Sequence, residues 1–386
     1  MTKQKNDFQQ MLENNTQLVF RIIGEIGPVS RTQLAKITGL SATTVGKIIT
    51  SLMKSDLVEE VGTTGNGIGR KATLVHIKSE GRYAIGIDLD IESISAGLIN
   101  LNGKIIARRD IHIKNDLSPD GLANKIISIV DSLMTDIDSR IINKLIGIGV
   151  SMPGNVEWKT GNIINSPQFH WKNIPFREIL SKYTSLPIFI ENNVRSSAAS
   201  EILFGHGKEY SDFVILHAGS GIGAAVVTNN VVRRGTNGLL GEIGHMTIAL
   251  AGRKCDCGLH GCLQSYACIS ALEKISGLSY NEILNRAQNG DIFSGQLLNE
   301  SSKIISMLVS NIVNIYDPPL ILLSGKMFDT SNNLTNTVKK LSYSLMWDTV
   351  KNKPIIEKAF LSYNDNVILA AGSVVIQQLF LSPTLY

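Results

Sequence analysis

The sequence has few of the features that mark secreted or membrane-spanning proteins. It contains 4 Cys in 386 residues, too few for a disulfide framework in a chain of this length. No apolar run reaches the roughly 18 residues that a membrane-spanning helix needs. The opening MTKQKNDFQQ also lacks the apolar core of a signal peptide. We therefore expect a cytoplasmic protein with no membrane partner.

Charge and length limit the architecture without identifying a partner. The formal net charge is only +4, so the distribution of charge is more informative than its sum. A chain of 386 residues exceeds one ordinary domain, because domains average about 100–200 residues. The 43% hydrophobic and 18% charged fractions are typical of globular proteins. We expect two or three domains.

The segment of residues 28–55, PVSRTQLAKITGLSATTVGKIITSLMKS, is locally basic and contains no Asp or Glu. A short helix is predicted to end at Gly39, and Ser41 to cap a second helix whose apolar residues recur at i, i+3, i+4 and i+7. The spacing of Ala35, Gly39 and Val45 is that of a helix-turn-helix. The segment therefore indicates a DNA-binding helix pair.

The following stretch, LVEEVGTTGNGIGRKATLVHI, predicts two strands around a Gly-rich turn, the wing of a winged helix-turn-helix. Basic residues on such a hairpin commonly contact the DNA backbone or minor groove. The outward side chains of the second helix are short donors and acceptors plus one cation. The predicted DNA-binding residues are Arg31, Thr43, Thr44, Lys47, Thr50, Arg70 and Lys71. The alternative is a small helical protein-interaction domain over residues 15–78.

The rest of the chain predicts two related α/β lobes. From Tyr83 the pattern gives a three-stranded meander, an amphipathic helix and a buried strand LIGIGVSM, and strand–turn–strand chemistry returns in DFVILHAGSGIGAAVVTNNVVRRG. This is the arrangement of the actin-like ATPase (ribonuclease H-like) and sugar kinase fold, whose cleft binds small ligands. The predicted domains are 1–80 (winged helix-turn-helix), 81–193 (first lobe, with a C-terminal helix 366–386 packing back on it) and 194–365 (second lobe with a metal-binding loop).

A Cys-rich loop in the second lobe predicts a metal site. The set is His245, Cys255, Cys257 and Cys262, and three thiolates with one imidazole are the ligands of a closed, structural zinc site. Buried free Cys is the alternative, which suits Cys268 on the following helix but not three Cys in a Gly-rich loop. A disulfide within Cys-Asp-Cys would be strained.

Four motifs, GVSMPG, ENNVR, GLLGEIGHMTI and CDCGLHGCLQSYA, resemble those of the ROK family (repressors, uncharacterised reading frames, kinases). The resemblance covers essentially the whole chain, including the winged helix of the repressor branch. It implies a sugar in the cleft, often xylose, glucose or N-acetylglucosamine, and a structural zinc. It also implies either an ATP-dependent sugar kinase or a sugar-responsive regulator. The sugar-binding residues that it implies are Gly154, Asn192, Asn193, Glu242, His245 and Gln264.

Three departures from the family pattern argue against kinase activity. Asn193 stands where the kinases have the Asp that acts as general base, and an amide cannot accept the proton. General-base catalysis contributes about 10²–10⁴ in rate. Gln264 replaces a Glu, and the DxGGT turn is replaced by a segment with Asp90 and Glu92, whose carboxylates would repel phosphate. The Gly219–Gly223 loop keeps its form, which the fold alone explains.

The sequence therefore predicts a zinc-containing, kinase-inactive, sugar-responsive transcriptional repressor of a carbohydrate utilisation operon. Helix-turn-helix proteins usually bind two half-sites, so we expect a homodimer or homotetramer on palindromic operator DNA. The alternative is an ATP-dependent sugar kinase of the ROK family with an appended DNA-binding domain. A third hypothesis is a regulator that sequesters another protein.

Overall fold

The computed structural model of the protein describes residues 2–63, 72–113, 118–349, 351–360 and 363–383. The described helices are α1 (Thr2–Ile26), α2 (Arg31–Thr38), α3 (Ala42–Lys54), α4 (Pro119–Met134), α5 (Ser139–Ile142), α6 (Phe176–Ser181), α7 (Asn193–Phe204), α8 (Gln264–Ala267), α9 (Ile269–Ser276), α10 (Tyr280–Gln288), α11 (Ile292–Tyr316), α12 (Lys326–Thr330), α13 (Asn332–Leu345) and α14 (Tyr363–Leu381). The strands are β1 (Val29–Ser30), β2 (Val58–Thr63), β3 (Thr73–Ile77), β4 (Tyr83–Leu89), β5 (Ser93–Asn100), β6 (Ile105–His112), β7 (Leu145–Met152), β8 (Asn155–Glu157), β9 (Asn162–Ser166), β10 (Trp171–Ile174), β11 (Ile188–Asn192), β12 (Phe213–Ala218), β13 (Ile222–Thr228), β14 (Val231–Arg233), β15 (Leu320–Ser324) and β16 (Ile355–Lys358).

The N-terminal module consists of α1 to α3 and a three-stranded antiparallel sheet in the order β1-β3-β2. Ser30 caps α2 in a capping box, and Gly39 ends α2 in the left-handed conformation. Ser41 caps α3 by accepting a hydrogen bond from Thr44 N. The predicted end of the first helix and the cap of the second are both confirmed. The apolar face of α3 is buried at Val45, Ile48, Ile49 and Leu52.

The first lobe is built on a five-stranded sheet in the order β11-β7-β4-β5-β6. Strands β4, β5 and β6 form an antiparallel meander, and β7 and β11 add in parallel. Helix α14 packs closely on this sheet, because a Cβ on Gly86 or Gly149 would lie 2.1 or 2.0 Å from the carbonyl oxygens of Ile368 and Ala371. The helix spans Tyr363–Leu381 and thus begins and ends earlier than the predicted 366–386.

The second lobe repeats this topology. Its sheet has the order β14-β13-β12-β15-β16, with an antiparallel meander of β12 to β14 and two strands, β15 and β16, added in parallel. Read from its other edge, the order matches that of the first sheet strand for strand. A small sheet in the order β10-β9-β8 is inserted between β7 and β11, within the sequence of the first repeat. The repeated α/β pattern predicted from the sequence is therefore present.

The chain divides into two compact units. Unit 1 comprises Met1–Ile164, Lys172–Phe204 and Val367–Tyr386, and it contains the N-terminal module together with the first lobe. Unit 2 comprises Asn165–Trp171 and Gly205–Asn366. Among the described helices, none is long and apolar enough to cross a membrane.

Candidate functional site

Helix α3 presents a polar, acid-free face to solvent. Thr43, Lys47 and Thr50 are exposed, and Thr44 is half-buried. The hydroxyls are partly engaged: Thr50 Oγ1 donates to Gly46 O at 2.9 Å, and Thr44 Oγ1 lies 2.9 Å from the hydroxyl of the capping Ser41. The ammonium group of Lys47 is the cation on this face. The sequence-predicted contacts on α3 are therefore available to a ligand.

Of the other predicted DNA contacts, Arg31 lies among the described residues. Arg31, the first residue of α2, donates from Nη2 to Glu60 Oε1 of β2 at 2.9 Å, and both side chains are exposed. This pair joins α2 to β2 and partly neutralises the charge of Arg31. Arg70 and Lys71 lie outside the described residues.

Asn192 lies at the junction of β11 and α7, where it caps the helix. Its Oδ1 accepts hydrogen bonds from the backbone N of Val194 and Arg195 at 3.0 and 3.3 Å. Its Nδ2 donates to Gly154 O at 3.0 Å, which ties the start of α7 to the turn after β7. Asn192 is only 9% exposed. Asn192 is therefore engaged as the cap of α7, and its role as a sugar ligand stays a prediction.

Asn193 differs from its neighbour. It is half-buried, and its Oδ1 accepts from Val194 N at 3.0 Å. Within the described chain its Nδ2 has no hydrogen-bond partner. The amide N–H groups of Asn193 are therefore free to donate to a ligand oxygen.

Buried charges support this junction, and sequence reasoning missed them. Glu191, Arg195 and Glu201 are 1%, 2% and 1% exposed. Arg195 Nη1 lies 3.5 Å from Glu191 Oε1, and the same carboxylate accepts from Asn192 N at 2.9 Å. A buried pair of this kind holds its residues in one geometry. The i, i+4 spacing of Glu191 and Arg195 is the signal that could have indicated the pair.

The end of β4 carries a carboxyl group with a perturbed pKa. Burial raises the pKa of Asp88 to about 7, with a further increase from Asp90 and an opposing hydrogen bond from Ser151. The next turn is closed locally, because Asp90 N donates to Ser93 O at 3.0 Å and Asp90 Oδ1 accepts from Ile91 N at 2.7 Å. This turn contains Asp90 and Glu92, the two carboxylates that were expected to repel a phosphate group.

In unit 2 the four predicted metal ligands come together. The ligand atoms of His245, Cys255, Cys257 and Cys262 all lie within 4.8 Å of one another. Cys257 Sγ is 3.7 Å from Cys262 Sγ, and Cys255 Sγ is 3.7 Å from His245 Nδ1. A zinc ion about 2.3 Å from each sulfur in a tetrahedron would place the sulfurs about 3.8 Å apart. The geometry and the donor set both fit a tetrahedral metal site.

Burial and the neighbouring thiols raise the pKa of Cys262 well above its usual range. Three clustered thiolates would repel one another, and a bound cation removes that cost because it binds the deprotonated sulfur. The three thiols are therefore expected to ionise together only when a positive ion is bound between them.

The remaining predicted sugar residues of unit 2 surround this cluster. His245 directs Nδ1 at Cys255, and its Nε2 lies 4.0 Å from Glu242 Oε2. Gln264 Nε2 donates to Cys255 Sγ at 3.5 Å. A metal bound to His245 would thus orient the imidazole, and the imidazole would face the carboxylate of Glu242.

The Gly219–Gly223 loop begins beside His217, a residue that sequence reasoning did not single out. His217 Nδ1 lies 3.3 Å from Ser324 Oγ, and burial lowers the pKa of this His to about 4, so the imidazole is neutral. Its ring packs beside Gly325, where a Cβ would lie 2.8 Å from Cε1. An imidazole therefore fills the space between the two Gly-containing turns.

Comparison with known proteins identifies relatives that align with most of the chain. A family model described as the ROK family matches residues 84–377. The xylose repressor of Bacillus spizizenii is 30% identical over 368 residues, covering 94% of this chain and 95% of that protein. The DNA-binding transcriptional dual regulator NagC of Escherichia coli is 25% identical over 343 residues, covering 84% of this chain and 83% of its own.

Solved structures show the same fold. The crystal structure of a ROK family transcriptional regulator, a homologue of the E. coli MLC protein, matches with a TM-score of 0.82 at 21% identity, over 96% of this chain and 97% of that one. A ROK family glucokinase from Streptomyces griseus, solved with glucose and AMPPNP, matches with a TM-score of 0.67 at 21% identity, over 76% and 99%. The kinase match leaves a larger part of this chain uncovered than the regulator match does. With more than half of its residues matched by the family model, the chain belongs to the ROK family.

Proposed function

We propose that the protein is a sugar-responsive transcriptional repressor of carbohydrate utilisation genes, and that its N-terminal module is a winged helix-turn-helix. The observation that carries the proposal is the exposed face of α3, which presents Thr43, Lys47 and Thr50 and no acid. Short hydroxyl side chains and a cation suit base edges and phosphates. The regulator names of the relatives, xylose repressor and NagC, support the same assignment.

The effector in this proposal is a small sugar. Asn193 in unit 1 offers unbonded amide N–H groups, and Glu242 in unit 2 offers a carboxylate that is about one-third exposed. Such groups form the directed hydrogen bonds that a polyol needs. We assign His245 and Gln264 to the same role, with Gly154 and Asn192 shaping the turn beside Asn193.

The protein binds its sugar without phosphorylating it. Asn193 cannot take a proton from a sugar hydroxyl, because a neutral amide is not a base near pH 7. The turn after β4 carries Asp90 and Glu92, whose charges oppose a nucleotide phosphate. On unit 2, the ring of His217 lies between the Gly219–Gly223 loop and Gly325. These features favour a regulator over the alternative, a kinase with an appended DNA-binding domain.

Zinc is the metal that we propose for the four-ligand cluster. Three thiolates and one imidazole with no open position are typical of structural zinc. The metal would fix the orientation of His245 and hence the position of the loop that carries it. The zinc ion would have a structural role, and the protein's side chains would make the contacts with the sugar.

Operator recognition is proposed to involve two or more copies of the chain. Winged helix-turn-helix proteins bind paired half-sites, so a homodimer or homotetramer would recognise palindromic DNA. A sugar that binds two conformations with different affinity would then change operator affinity by the same coupling free energy.

Selection of binding sites from a random duplex pool tests the proposal. We expect the wild type to enrich a palindromic duplex and to bind it with a strong dependence on salt. Lys47→Ala should weaken this binding, whereas Lys339→Ala, which removes the same charge from α13 of unit 2, should leave it unchanged. A chain beginning at Gly81 should lose binding. Equal binding by that truncated chain would refute the proposed role of the N-terminal module.

A coupled ATPase assay in the presence of D-xylose, D-glucose or N-acetylglucosamine tests the absence of kinase activity. We expect no sugar-dependent ATP consumption. Turnover of about 1 per second or more, as in ordinary kinases, would favour the kinase alternative.

A further inference from the structure

A single carboxylate joins the end of α3 to the first lobe. Asp56 follows the C-cap of α3 and has a positive φ of 58°. Its Oδ1 accepts a hydrogen bond from Lys78 Nζ, and its Oδ2 accepts one from Lys144 Nζ at 2.7 Å. Lys144 also donates to Glu80 O at 3.0 Å. Lys78 belongs to the segment after β3, and Lys144 immediately precedes β7 of the first lobe. The carboxylate thus connects three segments of unit 1.

The backbone of the segment after α3 also lies close to the backbone that precedes β4. A Cβ on Gly81 would lie 2.1 Å from Asp56 O, so only Gly allows the chain after α3 to approach the start of β4 this closely. Lys78 N donates to Leu57 O at 3.0 Å, and Leu101 N donates to Ser79 O at 3.0 Å. The contact is therefore continuous from the end of α3 to the first lobe.

Two lysines around one carboxylate make this contact stronger than an ordinary surface ion pair, which contributes little. The side chain of Asp56 is 36% exposed. Burial alone would raise the pKa of Asp56, but the hydrogen bonds from Lys144 and Lys78 outweigh it and lower the pKa. The charges are thus arranged to favour the ionised carboxylate over a wide pH range.

Strand β7 connects this contact to the candidate sugar residues. Lys144 lies at its N-terminal end. Its C-terminal end leads to Gly154, whose carbonyl oxygen accepts the hydrogen bond from Asn192 at 3.0 Å. The strand has 8 residues, which span about 26 Å at roughly 3.3 Å each. Asp56, which follows α3, and Asn192 therefore bond to residues that flank opposite ends of one strand, Lys144 before β7 and Gly154 after it.

We propose that Asp56 is a positioning residue that fixes α3 on β4 and β7, so that the DNA-binding module and the first lobe move as one body. This inference rests on the proposed DNA-binding function. In a repressor with two such modules, a fixed attachment sets the separation of the two α3 helices and therefore the spacing of the half-sites that fit both. A freed module would tolerate other spacings and would bind the preferred one more weakly, because its orientation must be ordered on binding.

The test compares Asp56→Asn, Lys144→Gln and Gly81→Ala with the wild type. The first two remove a charge from the cluster, and Gly81→Ala opens the backbone contact without changing any charge. Asp138→Asn is the control, because Asp138 lies close to Lys144 in the sequence and forms an exposed ion pair with Arg140, outside the Asp56 cluster. Each protein is assayed on the duplex that the wild type selects from a random pool and on the same duplex with its half-sites moved apart by two base pairs.

We expect the three cluster variants to bind the selected duplex about tenfold more weakly and to lose much of the wild-type preference for its spacing. Weaker binding to both duplexes with the wild-type spacing preference retained would count against the proposal, because it would indicate loss of folded protein and not a freed module. Wild-type affinity together with wild-type spacing preference in all three variants would overturn the proposal. If one variant does not fold, the other two decide.

Amide hydrogen exchange separates failure of this inference from failure of the proposed function. In the cluster variants the amides of Lys78 and Leu101 should exchange at least tenfold faster than in the wild type and the control, because the first bonds to Leu57, next to Asp56, and the second joins the first lobe to Ser79 after β3. If the wild type enriches no duplex, the proposed DNA-binding function fails. Hydrogen exchange alone then tests whether Asp56 attaches the N-terminal module to the first lobe. Unchanged exchange at both amides would then reject the positioning role of Asp56.

Discussion

The two groups of proposed sugar-binding residues are held in place by different means. In unit 1, Asn192 is hydrogen-bonded to three backbone groups and the neighbouring Glu191 and Arg195 are almost fully buried. In unit 2, His245 belongs to the cluster of four potential metal ligands. The loop that follows His245 has exposed apolar side chains, including Leu250, which is 95% exposed. The first group is therefore preorganised by hydrogen bonds within the chain, whereas the second includes a four-residue cluster that could hold a metal ion.

Removal of a metal ligand should have the largest effect on stability and on sugar binding, because the residues of unit 2 would lose the ion that is proposed to hold them in place. Cys257→Ser should abolish binding of about one zinc per chain and lower the unfolding temperature of the protein strongly, since structural metal binding contributes directly to folding free energy. The sugar-induced thermal shift should disappear with it. Elemental analysis and thermal unfolding measure these effects.

Cys268→Ala is the matched control for the metal. Cys268 is 4% exposed and stands outside the ligand cluster, so this variant should keep its zinc. Zinc-free wild-type protein prepared without chelators, or a Cys257→Ser protein with full metal content, would contradict the assignment.

The buried charges of unit 1 should show the next largest effect. Arg195→Leu leaves Glu191 buried without its cation, and removal of one partner of a buried pair costs about 3–5 kcal/mol of unfolding free energy. Arg109→Leu, which breaks an exposed pair with Asp136, should leave the urea midpoint close to that of the wild type. Equal midpoints for the two variants would show that the Glu191–Arg195 pair does not support the junction.

Asn193 should affect sugar binding while leaving the fold intact. Asn193→Leu removes the free N–H donors, and each hydrogen bond lost in a buried site costs about 1–3 kcal/mol. Sugar affinity should therefore fall about tenfold or more, with operator binding in the absence of sugar unchanged. Isothermal titration and gel shifts measure the two effects. Asn193→Asp should retain sugar binding and gain little or no kinase activity, since Asp90 and Gln264 still differ from the kinase pattern.

Local signals explain what the sequence could predict. The caps at Ser30 and Ser41 bond to residues within three positions, so the helix pair follows from short-range chemistry. The metal cluster was predicted because its ligands are concentrated in one short loop with one preceding His. The repeated sheet followed from a pattern that occurs twice in the chain. These features need no knowledge of distant contacts.

Distant contacts explain what the sequence could not resolve. Asn192 and Asn193 are adjacent and chemically identical, yet only Asn192 donates to Gly154 O, 38 residues away. The attachment at Asp56 depends on Lys144, 88 residues away. The burial of Arg195 and the packing of His217 likewise arise from tertiary structure. A polar residue's role depends on such partners, and periodicity carries no information about them.

The smallest predicted effect is on the pH dependence of the unfolding free energy, and it concerns the central strands of the two sheets. Each strand has a titratable side chain as its penultimate residue, Asp88 in β4 and His217 in β12. Burial raises the pKa of Asp88 to about 7 and lowers that of His217 to about 4, so both are neutral in the folded protein between these values. Their contributions to the pH dependence of stability have opposite signs.

The signs follow from proton binding in the two states. Between about pH 4 and 7 the unfolded Asp88 is ionised while the folded one keeps its proton, so its contribution to stability falls as pH rises. Between about pH 4 and 6.5 the unfolded His217 is protonated while the folded one is neutral, so its contribution rises with pH. The two slopes, each at most about 1.4 kcal/mol per pH unit, should largely cancel in the wild type. Asp88→Asn should therefore make the unfolding free energy rise from pH 4.5 to 6.5, and His217→Gln should make it fall. Urea unfolding across this range measures both, and parallel profiles for the two variants would show that these side chains are not buried in their neutral forms.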